Sequence, residues 1–387
     1  MVVEGWRYYT HSFSLVNQYQ CRELLRRDDV RLHHRDVAPL AAGQPDQRVK
    51  WQRQSGLLPA ADEDRIRAVG ELPEGQRPDV TYRIYFPYDF TPAAGGRTAV
   101  FAVTEYLILR PFLIRGGQRF DEVMDGNDVL LITPSRWSKR GMVNSGAPPE
   151  RVHVVPHGFD GKVFNRPECE QRQQWRKEAG VEDSFVFLAV GAMYGHKGML
   201  ALLQGLAAVA RKHPHVRLIL KGMDAVYASK RFLVNTMQQL SAEDTQIVRP
   251  RVRYIGQTLP AQQMARLYQT ADVLASPSFG EGFNLPVLEA AACGLPAICT
   301  CGGPTDEFTT EAFTMRIDSR LEPLEKNPGF RLQPQYDHFV DLMFKAVEDE
   351  PYIRTAREAA PAHVSPRYTW ERVTDELVCM LRTDVEE

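Results

Sequence analysis

Residues 276–303 read SPSFGEGFNLPVLEAAACGLPAICTCGG, and an apolar run at 272–276 leads into them. A short apolar run bounded by turn residues is a buried strand, and the apolar residues from Leu285 to Cys293 form a helix. Between the two lies a loop with Gly280 and Gly282 on either side of Glu281, and a second acid, Glu289, follows eight residues later. Strand, glycine loop and helix in that order suit a phosphate-bearing ligand. Amides at a helix start attract anions, and glycines let a bulky group approach the backbone. An acid further along the helix can accept hydrogen bonds from a pair of sugar hydroxyls, each worth about 1.5–3 kcal/mol when charge-assisted.

Outward from this stretch the same alternation continues. Buried strands are expected at 80–86, 98–104, 129–133 and 152–155, and again at 185–190, 216–220, 252–255, 273–276 and 297–300. Helices fit 16–25, capped by Ser12 or Ser14, and then 200–212, 261–270, 285–293, 339–347 and 369–381. The polar, proline-broken segment 39–78 reads as irregular structure with short helices. The turn-rich connection at 156–167 is the expected domain boundary, dividing residues 1–160 from 161–365, with a last helix within 366–387. Alternating βα units with one mid-chain break imply an α/β protein of two Rossmann-like, doubly wound domains. Ligands of such sheets bind beyond the carboxyl ends of the strands, so a cleft between the domains is expected to hold the site.

Composition narrows the class. A chain of 387 residues with 43% hydrophobic residues has material for two or three ordinary cores. The net charge of −2 offers no large basic surface, which argues against nucleic acid as a partner. The six cysteines are scattered and form no disulfide framework, and the Cys299/Cys301 pair has no second pair to complete a metal site. No run approaches the ~18 apolar residues of a membrane helix, and residues 1–4 reach a charge before any apolar segment. These features lead us to expect a cytoplasmic protein with no integral membrane segment.

The block 281–289 resembles the E-x7-E motif of retaining GT-B glycosyltransferases, family 4 in particular. Other segments agree in order. Residues 133–138, TPSRWS, resemble the family's TPS-x-W strand end, and 154–160, VVPHGFD, its PNGVD linker. Lys197-Gly198 resembles the KG pair after the first strand of the second domain, 271–278 its AD-apolar-PS lead-in, and 368–371 its terminal helix, which returns to the first domain. The resemblance covers about residues 130–381. It implies an N-terminal acceptor-binding domain and a C-terminal domain that binds a nucleotide diphosphate sugar, UDP- or GDP-linked. It also implies that no separate cofactor and no metal are needed. Glu289 would hold the ribose hydroxyls and Glu281 the donor sugar. The amides near Gly282, Phe283, Asn284 and Leu285 would face the sugar and distal phosphate. Lys197 would neutralise the diphosphate, with Gly191 and His196 in the same site.

The chain departs from that pattern in two places. Gly191 is followed by Ala192 and Met193 where the family usually has an arginine, so a phosphate contact has to come from elsewhere, for example Arg7, Arg136 or His196. The mid-domain strand ends in Glu105 where the family often has a histidine, which makes Glu105 a candidate for the catalytic or acceptor site. Trp6, Tyr9 and His11 crowd the first loop. Aromatic faces pack against sugars or cyclitols, so these rings are candidate contacts for a small polar acceptor. The transfer would proceed with retention, through an enzyme nucleophile or by front-side displacement; the family resemblance favours the second. Two rivals stay open, a phosphorylase or trehalose-synthase type enzyme of the same architecture and a non-catalytic nucleotide-sugar binder.

Overall fold

The computed structural model describes residues 1–41, 44–48 and 51–382, with only the backbone at 41 and 44–48. The chain divides into two compact units. The first comprises Met1–Gly158, Pro323–Phe330 and the chain from Tyr368 onward; the second comprises Phe159–Glu322 and Arg331–Arg367.

The first unit is built on a six-stranded sheet. Its strands are β1 (Val2–Gly5), β2 (His33–Asp36), β5 (Val80–Ile84), β6 (Arg97–Phe101), β7 (Leu130–Thr133) and β8 (Val152–Val154), in the order β2-β1-β5-β6-β7-β8 and parallel throughout. β5, β6 and β7 are almost wholly buried, as apolar runs in a parallel sheet must be. β2 is polar, HHRD, and has no apolar alternation to announce it; pairing with β1 makes it a strand. Over 39–78 the chain forms the helix Ala60–Arg67 and an antiparallel pair, β3 (Leu40–Ala41) with β4 (Gln44–Arg48), which the sequence did not foretell. Residues 42, 43, 49 and 50 of that segment lie outside the described residues.

The first helix is Ser12–Leu24, and its cap is His11 rather than a serine: the ring Nδ1 accepts from the Phe13 N–H at 3.1 Å. Burial holds the His11 ring neutral, with its pKa lowered to about 3, which leaves that nitrogen free to accept. The last helix, Trp370–Arg382, packs on the first, where Trp370 stacks on Tyr19 at 5.2 Å. Gly158 is needed for this docking, since a Cβ there would lie 2.5 Å from the Trp370 nitrogen. Residues 383–387 of the expected 366–387 segment are outside the described residues.

The second unit repeats the plan. Its sheet contains β9 (Phe185–Val190), β10 (Val216–Lys221), β11 (Val252–Ile255), β12 (Val273–Ser276), β13 (Ala297–Thr300) and β14 (Thr314–Ile317). The order is β11-β10-β9-β12-β13-β14, again parallel. A two-stranded sheet, β15 (Ser319–Pro323) with β16 (Phe330–Pro334), follows. One face of the main sheet packs on the apolar helix Met199–Lys212, whose Leu202, Leu203 and Leu206 are fully buried. The helix Cys169–Glu178 has no apolar stripe and was not expected. Charge docks it instead: Arg172 and Arg176 reach Asp272 at 2.6 and 2.9 Å, and Asp272 also accepts from the Val186 N–H at 2.8 Å. Such partly buried, hydrogen-bonded pairs are strong local clamps.

Candidate active site

In the second sheet the chain runs outward from β9 through β10 to β11, then crosses back to β12 and runs the other way. The direction reverses between β9 and β12. Neighbouring loops leave that point in opposite directions and open a crevice at the carboxyl ends of the strands, where doubly wound sheets bind ligands. The loops there are 191–198, which carries Lys197, and 277–284, which carries Glu281. The strand order therefore brings together two residues 84 positions apart.

They meet as an ion pair, with Lys197 Nζ 2.6 Å from Glu281 Oε1 and side chains 21% and 11% exposed. The loops are fixed to each other by backbone. The Phe279 N–H donates to the His196 carbonyl at 2.7 Å. Gly198 is left-handed, φ 67°, and a Cβ there would sit 2.1 Å from the Pro277 oxygen, so only glycine lets the loops touch. Lys197 lies along Gly191, its Cε 3.4 Å from where a Cβ on that glycine would stand.

The chain then turns sharply into the helix Leu285–Ala292 through Asn284, which is left-handed at φ 78° and ψ 57°. Asparagine is among the few side chains that tolerate this region. Its amide donates to Ser276 Oγ at 3.1 Å, while Phe283 stacks on Phe308 at 4.7 Å. The turn is thus held on both sides. Ser276, Ser278, Glu281, Asn284, Thr300 and Thr305 line a small recess beside it.

Glu289, on the following helix, is half-buried and accepts from the Tyr268 hydroxyl at 2.8 Å. Burial pushes its carboxyl up to about 7, with the Tyr268 bond pulling the other way. Tyr268 belongs to the helix Ala261–Thr270 and is fully buried. The sequence reading passed over it, although Ala261, Ala265 and Tyr268 share the buried face at helical spacing. One oxygen of Glu289 is oriented by protein, and the carboxylate keeps further lone pairs for a ligand.

A family described as glycosyl transferases group 1 matches residues 184–316, the span from β9 to β14. Residues 184–316 of the second unit thus resemble group 1 glycosyl transferases. Curated relatives point the same way. The chain is 29% identical over 239 residues to a D-inositol 3-phosphate glycosyltransferase of Segniliparus rotundus, covering 61% of this chain and 48% of that protein. It is 26% identical over 266 residues to a GDP-mannose-dependent monoacylated alpha-(1-6)-phosphatidylinositol monomannoside mannosyltransferase of Corynebacterium glutamicum, covering 66% and 62%. The chain thus spans about half the length of the first of these relatives. Among solved structures, HepE of Anabaena in complex with UDP and glucose matches 99% of this chain and 100% of its own, with a TM-score of 0.72 at 16% identity. WaaG, a glycosyltransferase involved in lipopolysaccharide biosynthesis, matches 99% and 100% with a TM-score of 0.67 at 15% identity. The fold is GT-B.

Within residues 184–316 the structure gathers Gly191, His196, Lys197, Glu281, Gly282, Phe283, Asn284 and Leu285 around one switch point, with Glu289 on the helix that follows. Two of these differ from expectation in chemistry. His196 is stacked against Tyr194 at 5.9 Å, and burial and the Lys197 charge lower its pKa to about 4, so it is neutral near pH 7 and supplies no charge. Phe283 stacks its ring on Phe308, so the ring is part of the packing behind the turn.

Outside residues 184–316, Glu105 lies in the first unit, exposed, just beyond β6; its carbonyl accepts from Trp137 Nε1 at 3.2 Å. The acceptor assignment of Trp6, Tyr9 and His11 needs correction. Trp6 is completely buried, and Tyr9 and His11 are 8% and 5% exposed. Trp6 meets Trp51 edge-on at 5.1 Å and Phe86 at 4.8 Å, and His11 stacks on Trp51 at 5.3 Å. These rings fill one another's space, because edge-to-face packing among aromatics is itself favourable. Arg7, an expected source of charge for phosphate, instead pairs with Asp36 at 2.7 Å and donates to the Ile66 carbonyl at 2.8 Å. Among the described residues no helix is long and apolar enough to cross a membrane.

Proposed function

We propose that the chain is a retaining, metal-independent glycosyltransferase that moves a sugar from a nucleotide diphosphate donor to a small polar acceptor. The observation that carries this reading is the Lys197–Glu281 pair at the switch point within residues 184–316, with the half-buried Glu289 on the adjoining helix. Glu289 takes the ribose hydroxyls, one of its oxygens already oriented by Tyr268. In the free protein Glu281 neutralises Lys197; with donor bound, Lys197 turns its charge to the diphosphate and Glu281 accepts from sugar hydroxyls. Bond breaking builds negative charge on the leaving phosphate, and Lys197 with the amides of the left-handed turn stabilises it. The leaving phosphate then takes the acceptor's proton by front-side displacement, so no base on the protein is needed. A UDP- or GDP-linked donor is supported by the UDP and glucose in HepE and by the GDP-mannose dependence of the mannosyltransferase relative.

The test is product analysis with UDP- and GDP-sugars over a panel of sugar and cyclitol acceptors. The expected product keeps the donor's anomeric configuration by NMR, and the rate survives a chelator. An inverted product or a strict need for a divalent ion would remove the corresponding part of the reading. Binding without transfer or slow hydrolysis of any donor would make the protein a nucleotide-sugar binder. A cytoplasmic location is part of the same proposal. The described cysteines are all free thiols, and thiol trapping on isolation from cells should find them reduced.

A further inference from the structure

We infer that Lys221 is a second cationic contact for the donor's diphosphate, filling the place of the arginine that the loop after β9 lacks. This rests on the proposed donor site. Lys221 is the last residue of β10, beside β9 and in register with Val190, and the Gly191 N–H donates to its carbonyl at 3.0 Å. Gly191 thus lies between Lys197, which runs along it, and Lys221, which bonds to it. Both lysines stand at the carboxyl edge of the sheet, on either side of one glycine.

Lys221 does not face the apolar layer. Side chains alternate along a strand, and Leu218 and Leu220 occupy the core against the helix Met199–Lys212, so Lys221 points to the other face with Ile219. It is 3% exposed, and among the described residues it makes no ion pair; Asp224 acts on its charge only from further away. Its ammonium donates to the Gly222 carbonyl. The acid nearest in sequence, Asp224, is held by the Tyr254 hydroxyl at 2.7 Å and the Lys230 N–H at 2.9 Å. A buried ammonium without an anion is costly and persists where a ligand supplies the missing charge. Burial lowers its pKa to about 8, Asp224 opposing, which keeps it charged at neutral pH. Of the other expected sources, Arg7 is paired with Asp36, His196 is neutral and brings no charge, and Arg136 belongs to the first unit.

The experiment is calorimetric titration of wild-type protein, Lys221→Met and Lys221→Arg with UDP, GDP and the two nucleosides. For whichever diphosphate the wild type binds, Lys221→Met should lose about 10- to 100-fold in affinity, the loss of one charge-assisted contact. Affinity for the matching nucleoside should change less than about threefold, and Lys221→Arg should keep most of the diphosphate affinity. Lys221→Met should also raise the denaturation midpoint of the free protein, because a buried charge is gone; a merely structural lysine would lower it. Unchanged diphosphate affinity, or equal losses for diphosphate and nucleoside, overturns the assignment of Lys221 while leaving the donor site standing. Wild-type protein that binds neither diphosphate overturns the proposed function and this inference together.

Discussion

In the first unit the chain reverses direction between β1 and β5, and the loop there carries Trp6, Tyr9 and His11, packed with Trp51 and Phe86. In the second unit it reverses between β9 and β12, and the loops there carry Lys197, Glu281 and a left-handed Asn284. The two sheets have the same number of strands, all parallel, and the same kind of reversal. One reversal is closed by rings that satisfy each other. The other sets a cation, an acid and a left-handed turn side by side, with Lys197 partly open to solvent. Topology marks where a ligand can bind, and loop chemistry decides whether the place is filled by protein or held for something else.

Four substitutions break or sharpen this contrast. The largest effect is expected at Trp6. If the first loop is core, Trp6→Ala should cost about 3–5 kcal/mol of stability in a denaturant titration. Normal stability with a raised KM for acceptor would show instead that the ring meets substrate.

Lys197→Ala comes next. Losing a cation aimed at developing charge should lower kcat about 10²- to 10³-fold, with a smaller change in donor KM. An unaltered kcat would make the Lys197–Glu281 pair a structural clamp, like Arg172 with Asp272.

Glu289→Gln probes the electrostatic cost of an open site. The folded carboxyl titrates at about 7 and the unfolded one near 4.5. Between these values the folded state binds more protons, so wild-type stability is fully present below 4.5 and lost as pH rises through 7. Against this slope the Gln variant should gain stability from pH 5 to 8, by at most about 3 kcal/mol, while binding nucleotide more weakly. Parallel pH profiles of the two denaturation midpoints would remove the buried carboxylate from the argument.

The smallest effect belongs to Tyr268→Phe, which deletes one hydrogen bond to Glu289. About 1 kcal/mol, or roughly fivefold in nucleotide affinity by calorimetry, is expected. Equal affinity would mean that the helix alone orients the acid.

How much of this was legible depended on the kind of signal. β9, β11, β12 and β13 and the helix Ala261–Thr270 stand where apolar periodicity placed them. β2 and the helix Cys169–Glu178 escaped because polar residues build them and pairing or ion pairs hold them. Glu281 and Lys197 were visible beside glycines, and Glu289 by its place eight residues further on in the helix. Tyr268 and Lys221 were not, since a tyrosine on a helix face and a lysine at a strand end carry no local mark of what they will face.

By itself the sequence determined the strand and helix periods, the glycines at the tight turns and the acids beside them, because those are short-range preferences of side chain and backbone. Only the tertiary structure decided that residues 84 positions apart would form one ion pair, that a loop of aromatic rings would be core, and that one lysine would be buried with no ion pair among the described residues. These depend on which strands become neighbours and how much water is excluded between them, and neither is a local property of the chain.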